Sequence, residues 1–198
     1  HVLGVLLARA ADRPLETLLR ERLLGPLGMA DTHFTVPPEK LGRFADCYRF
    51  DPDAGLMGAD HDSAWLTPPS FPEAASGLVS TADDYLAFGR MLLAGGVHDG
   101  ARLISQASVA EMTTDQLTAA QRRDGAMFLD GRGWGLGMST PPAGQAGPYG
   151  WDGGFGTSWR SDPRAGLTAI LLTQRLFDPD PGPAYGAFHG ALDSSAIT

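Results

Sequence analysis

Lysine occurs once in the 198 residues, at Lys40, and asparagine not at all. A phosphate-binding loop needs Gly-Lys, and Lys40 follows Glu39, so that loop is excluded. Cysteine also occurs once, at Cys47, which excludes an intrachain disulfide and a cysteine zinc cluster. Free cysteine is among the most buried residue types, and Cys47 reads as a half-buried strand residue rather than a nucleophile. No apolar run is long enough to span a bilayer. Basic side chains are scarce, with 15 Lys and Arg against 23 Asp and Glu. Such a chain lacks the cations that neutralise nucleic-acid phosphates or anionic lipid, so neither partner is expected. At 43% hydrophobic and 19% charged residues it is nevertheless ordinary globular material, not a disordered tail. The loss of Lys and Asn, whose codons are A-rich, together with abundant Ala and Gly, fits a bacterial genome of high G+C content.

Chemical motifs are as sparse. There is no Gly-x-Ser-x-Gly elbow and no Gly-x-Gly-x-x-Gly. The five histidines form no His-x-x-x-His pair. Asp60-His61-Asp62 could meet a metal, but three adjacent residues rarely converge on one ion, and the segment reads as a solvated turn. No metal and no cofactor is expected.

Along the chain, Val2, Leu3, Leu6, Leu7 and Ala10 share one face of a helix that begins without a cap, and Arg9 argues against a secretory signal. The chain thus reads as starting inside an element of a longer protein. Asp12 is placed to cap a second helix carrying Leu15, Leu18, Leu19 and Leu23, stopped by Gly25-Pro26 and a tight turn at Leu27-Gly28-Met29. Residues 31–75 read as irregular and lid-like, with a short strand near 44–50. Ser80 and Asp83 form a capping-box-like start to a helix over 81–94 that buries Tyr85, Leu86, Phe88, Leu92 and Leu93. Ser105 caps a fourth helix through Met112.

Past Arg132 the period changes. Trp134, Leu136 and Met138 alternate with glycines and predict a strand over 132–138. Residues 155–161 and 167–173 predict two more, joined by a turn at Asp162-Pro163-Arg164-Ala165-Gly166. The last is nearly all apolar, which predicts a central strand covered on both faces. Tyr185, Phe188, His189 and Leu192 lie on one face of a closing helix. The expected architecture is α+β, a single partial domain. Residues 1–130 would be mostly helix and loop, and residues 131–198 a three-stranded antiparallel sheet with its terminal helix packed on it.

The segment Tyr149-Gly150-Trp151-Asp152-Gly153-Gly154-Phe155-Gly156 joins two of these strands. Its glycines could expose N–H groups as an oxyanion hole does, or it could be only a hairpin held by packed Trp rings.

Pro26-Leu27-Gly28-Met29, with Asp31-Thr32-His33-Phe34, resembles a segment of the serine β-lactamase-like family of class C β-lactamases, DD-peptidases and esterases. Ser76-Gly77-Leu78-Val79-Ser80-Thr81-Ala82-Asp83 is similar to the family's segment before a helix. Trp151-Asp152-Gly153-Gly154 resembles its third motif. The resemblance implies the C-terminal part of a β-lactamase/transpeptidase-like fold. It implies a parent that opens an ester or amide carbonyl with a serine, activated by Lys and Tyr. Ser-x-x-Lys and Tyr-x-Asn are absent, so no catalytic residue is assigned in this chain, and nucleophile and base are expected upstream of His1. By the same resemblance the Gly154 N–H is one oxyanion donor. Trp151 stands where lactamases carry Lys, and Asp152 adds negative charge, which favours an ester or other acyl substrate over anionic β-lactams.

A non-catalytic, partner-binding descendant of the same fold is the competing reading, and a metal enzyme using His61 a third. A chain lacking the family's other strands would leave a sheet edge and apolar surface near Leu3, Leu7 and Leu171 uncovered. The expected partners are therefore a second copy or a missing N-terminal portion, besides a small acyl substrate.

Overall fold

The computed structural model describes residues 2–58, 62–177 and 179–195, with backbone alone at 62, 63 and 193–195. The helices are α1 (Val2–Ala11), α2 (Leu15–Leu19, continued by a π-helical turn over Arg20–Leu24), α3 (Ala82–Leu93), α4 (Gln106–Met112), α5 (Ala119–Asp124), α6 (Ala126–Leu129) and α7 (Pro183–Ser195). The strands are β1 (Tyr48–Asp51), β2 (Gly55–Gly58), β3 (Val97–His98), β4 (Ala101–Arg102), β5 (Gly133–Trp134), β6 (Ser139–Thr140), β7 (Tyr149–Gly153), β8 (Thr157–Asp162) and β9 (Leu167–Leu172). β1–β2 and β3–β4 are separate small hairpins, and β5 to β9 form one antiparallel meander in chain order.

The sheet corrects two expectations. It has five strands rather than three, because the run 132–138 is not one strand. Gly137 has φ +86, a backbone state open to glycine, and turns the chain between β5 and β6. Residues 149–153, read as a connection, are themselves a strand between β6 and β8. β9 is the terminal strand of the sheet among the described residues, not a central one. An apolar run reports covered faces, and it carries no information about neighbours along the edge. The expected turn holds: Asp162 pairs with Leu167, and the Asp162 side chain accepts from the Arg164 N–H at 2.9 Å.

Caps explain most helix ends. Asp12 does not start α2. It sits at φ +48 and closes α1 through Arg13 N–H to Ala8 O and Asp12 N–H to Arg9 O, a left-handed helix stop. Gly28 (φ +69) does the same after the second helix, with Met29 N–H on Leu24 O. α3 is capped by Thr81, one residue later than expected, whose hydroxyl accepts from the Asp84 N–H. Ser105 caps α4 as expected, accepting from Ser108. The α5–α6 pair was not foreseen, although Thr118 and Gln121 make a complete capping box.

α3 lies across the sheet with Gly89 at the crossing. A Cβ there would stand 2.7 Å from Thr168 Cγ2, so only glycine permits the approach. The buried face of α3 therefore turns toward Gly89, Met91 and Leu92, while Tyr85 and Phe88 are half-buried. Trp159 of β8 is the hub: Tyr85, Phe88 and Tyr149 meet its ring at 5.5–5.8 Å between centroids. Leu24, Leu27, Met29, Met91, Leu92, Val109 and Met138 complete the core.

The segments that carried the family resemblance are pinned to each other. Asp84 accepts from the Asp31 N–H at 2.8 Å and the Thr32 hydroxyl at 2.7 Å, and Thr32 also meets Ser80. His33 bridges Val79 through two backbone hydrogen bonds. Lys40 and Arg43 pair with Asp31, holding its carboxyl at about 2. Among its described residues, segment 31–75 is irregular apart from two 3-10 turns and the β1–β2 hairpin, and Cys47 is half-exposed just before β1.

Candidate active site

β7 puts Trp151 and Asp152 on opposite faces of the sheet. By register, Trp151 lies opposite Trp159 and Asp152 opposite Ser158. Trp151 therefore shares the face toward α3, and Asp152 points to the face toward α7. β6 meets β7 only at Ser139–Gly150. Among the described residues, Trp151, Asp152 and Gly153 are thus paired along one edge, by β8 alone.

The chain then turns through Gly154, Phe155 and Gly156. Gly156 N–H closes the loop on Gly153 O at 3.0 Å, with Gly156 at φ +75, the left-handed position of a three-residue hairpin loop. The segment after β9 ties this loop down, since Phe177 N–H donates to Gly154 O and the Thr173 hydroxyl to Gly156 O. A Cβ on Gly154 would meet nothing within 4 Å, so the turn has open space beside it.

Aromatic rings stand on both sides of this strand end. Trp151 packs edge-on to Trp134 at 4.5 Å and against Phe128 at 5.2 Å. On the other side Phe155 meets Trp65, which meets Phe44. The 31–75 segment thereby reaches the glycine turn, and Trp65 is anchored by its ring N–H on Gly77 O. Arg132 lies over the Trp151 ring at 5.8 Å. Arg132 therefore brings positive charge to this strand end, a point the linear order hid.

Asp152 is handled differently from the expectation of a negative charge in the site. Its carboxylate accepts from Arg160 Nη2 at 2.7 Å and Ser158 Oγ at 2.6 Å, and from the Tyr185 hydroxyl of α7. His189 Nε2 is 3.7 Å and Arg132 Nη1 3.8 Å away. Burial pushes the carboxyl up, but Arg160 and Ser158 outweigh it and hold it below its ordinary value. Burial, then Asp152, pushes the Tyr185 phenol up to about 12.

Ser158, His189 and Asp152 share the composition of a hydrolytic triad but not its geometry. A triad histidine uses one ring nitrogen for serine and the other for the acid. Here the same Nε2 faces both, and Ser158 donates directly to Asp152. Ser158 is also buried, so the set fastens α7 to the sheet.

Arg160, Tyr185 and His189 were not read as site-related from sequence. The spacing of Tyr185 and His189 on one helical face was legible, but its target across the sheet was not. Asp60 and His61 lie outside the described residues, as does the Asp62 side chain. Among the described residues no group of three or more His, Cys, Asp or Glu could hold a metal ion. No described helix is long and apolar enough to cross a membrane.

A family model described as Beta-lactamase matches residues 1–191. The chain belongs to the Beta-lactamase family. Protein Rv1367c of Mycobacterium tuberculosis is 45% identical over 194 residues, which are 89% of this chain and 47% of that protein. Esterase EstB of Burkholderia gladioli is 29% identical over 220 residues, 96% of this chain and 52% of its own. The LovD6 mutant of simvastatin synthase from Aspergillus terreus superposes with a TM-score of 0.79 at 24% identity, covering 98% of this chain and 52% of that one. The fold of this Beta-lactamase family chain is accordingly the mixed helix and antiparallel-sheet arrangement of β-lactamase/transpeptidase-like proteins. The chain spans about half the length of the curated relatives it matches.

Proposed function

We propose that the chain is the C-terminal portion of a serine hydrolase of the Beta-lactamase family, acting on an ester or amide through an acyl-serine intermediate. The serine and its activating lysine are supplied by residues outside this chain, because its one lysine, Lys40, is engaged with Asp31 and Ala30. Trp151 and the Gly153–Gly154 turn line the acyl site, and the Gly154 N–H is one of two donors to the carbonyl oxygen as it gains charge. The observation that carries this reading is the strand end itself: a half-paired edge leading into an open glycine turn between two aromatic groups. The aromatic surroundings of Trp151 favour an apolar ester over a penicillin-type substrate, as does the ester-cleaving name of the relative EstB.

The same reading accounts for the uncovered surfaces. Leu3 and Leu6 of α1 are each 60% exposed, and β9 ends on the exposed Leu172. The N-terminal portion of the complete protein covers α1 and pairs along β9, and in its absence a second copy takes that edge.

The chain alone should not hydrolyse p-nitrophenyl acetate or nitrocefin above a buffer blank. The complete protein should hydrolyse the ester and react covalently with a fluorophosphonate at a serine outside these residues. Labelling at Ser76, Ser80 or Ser158 would overturn the assignment. In the complete protein Trp151→Ala should lower ester turnover by roughly tenfold or more, the scale of misplacing a bound substrate. An unchanged rate reduces Trp151 to packing.

A further inference from the structure

The carboxylate of Asp152 lies on the opposite face of β7 from Trp151, with Arg132 near both, and it is among the most heavily engaged side chains in the molecule. Donors reach it from β8 (Arg160 and Ser158) and from α7 (Tyr185), with His189 of α7 and Arg132 beside β5 at the next distance. Arg160 is itself buried and donates a second hydrogen bond to the Trp159 carbonyl at 2.7 Å, so it cannot follow Asp152 if the strand shifts.

The need for such a clamp follows from the ladder. A strand interior to a sheet is held in register by hydrogen bonds along both edges. β7 has two paired edges only as far as Gly150, and from Trp151 to Gly153 one edge is missing among the described residues. Glycine follows at 153, 154 and 156, with no side chains to pack except that of Phe155. The strand end that bears Trp151 and the Gly154 N–H is therefore held by strand pairing along one edge only, although β7 lies inside the sheet. Asp152 is the one side chain within it anchored to the rigid layer behind.

We propose that Asp152 is a positioning residue: its clamp to Arg160, Ser158 and Tyr185 fixes the Trp151–Gly154 strand end in place of the missing edge. The clamp couples α7 and the back of the sheet to the geometry of the front. This rests on the acyl-site assignment above for its catalytic consequence, and on the structure alone for its mechanical one. A charge-neutral amide at this position keeps size and shape but loses the charge-assisted bonds and turns an NH2 group toward one of the donors.

The test compares Asp152→Asn with Asp84→Asn in the complete protein. Asp84 is a buried carboxylate that pins the 31–34 loop to α3 and has no part in the acyl site. Both variants should lose stability. Only Asp152→Asn should speed amide hydrogen exchange of residues 151–155, by about tenfold or more relative to the rest of the sheet. Only it should lower kcat on p-nitrophenyl acetate, by roughly 10- to 100-fold with KM changed less than about threefold, the scale expected when reacting groups shift by about an ångström. Arg160→Lys, which keeps charge but loses the fork, should fall between wild type and Asp152→Asn. Exchange at 151–155 that matches Asp84→Asn, or faster exchange with kcat unchanged, overturns the proposal. If the wild-type protein cleaves no ester, the acyl-site reading fails, and the exchange comparison still decides the clamp.

Discussion

The two faces of the β7–β9 sheet are built on different physics. Toward α3 the face is apolar: Trp159 is buried among Tyr85, Phe88, Tyr149 and Ile170, and α3 reaches it through the bare backbone of Gly89. Toward α7 the face is polar: Asp152 is held by charge-assisted bonds from Arg160 and Ser158, and Tyr185 and His189 of α7 meet this group. Area burial is undirected and tolerates small shifts, whereas hydrogen bonds to a buried carboxylate fix distances to a few tenths of an ångström. The first face supplies stability and the second supplies register, and β7 carries Trp151 on one and Asp152 on the other.

The contrast can be broken at several scales. Trp159→Ala should cause the largest loss, about 3–5 kcal/mol, because it empties the hub of the apolar face. Urea unfolding should show the midpoint falling sharply, and a loss under about 1 kcal/mol would mean that the core lies elsewhere.

Arg160→Met should cost less, about 1.5–3 kcal/mol, by removing a charged hydrogen-bond partner from a half-buried carboxylate. The same variant should change the acid response. Asp152 has a folded-state pKa below its unfolded value of 3.8, so its stabilisation is complete above that value and is lost as pH falls through the folded one. Arg160, Arg132, Tyr185 and His189 are the charged or titratable groups that face it. Without Arg160 burial dominates and the carboxyl pKa rises, so the acid-side loss should shrink or reverse as pH falls through the carboxylate range. Thermal unfolding across that range checks the sign, and an unchanged acid-side slope would place the coupling elsewhere.

Thr81→Ala should have the smallest effect, about 1 kcal/mol, the usual worth of an N-cap, and should leave both faces intact. A near-ultraviolet circular dichroism spectrum like that of wild type, with a slightly lower melting temperature, is the expected result.

Several features were legible in the residues because their causes are local. The Asp162–Gly166 turn makes β8 and β9 neighbours whatever else the chain does, since a four-residue connection leaves no other place for the second strand. Ser105 and the Leu27–Met29 turn act within a few bonds of themselves. The two front family segments were recognisable as short motifs, and Asp84, Thr32 and Ser80 hold them together. Membership of the Beta-lactamase family was likewise readable from segment order.

What the tertiary structure alone decided is non-local. Alternation from Trp134 to Met138 looks the same in one strand as in two short strands around Gly137. Its outcome depends on β7 offering Gly150 as a partner to Ser139. Asp152 read as a charge near the site because its neighbours in sequence are site residues. The pleat turns it away, and Arg160, Tyr185 and His189 come from eight or more residues along the chain to neutralise it. Composition and short-range order thus determined which elements exist and which family they belong to. Which face each residue serves was decided only when strands distant in sequence came into register, because period-two alternation defines two faces without saying what will cover them.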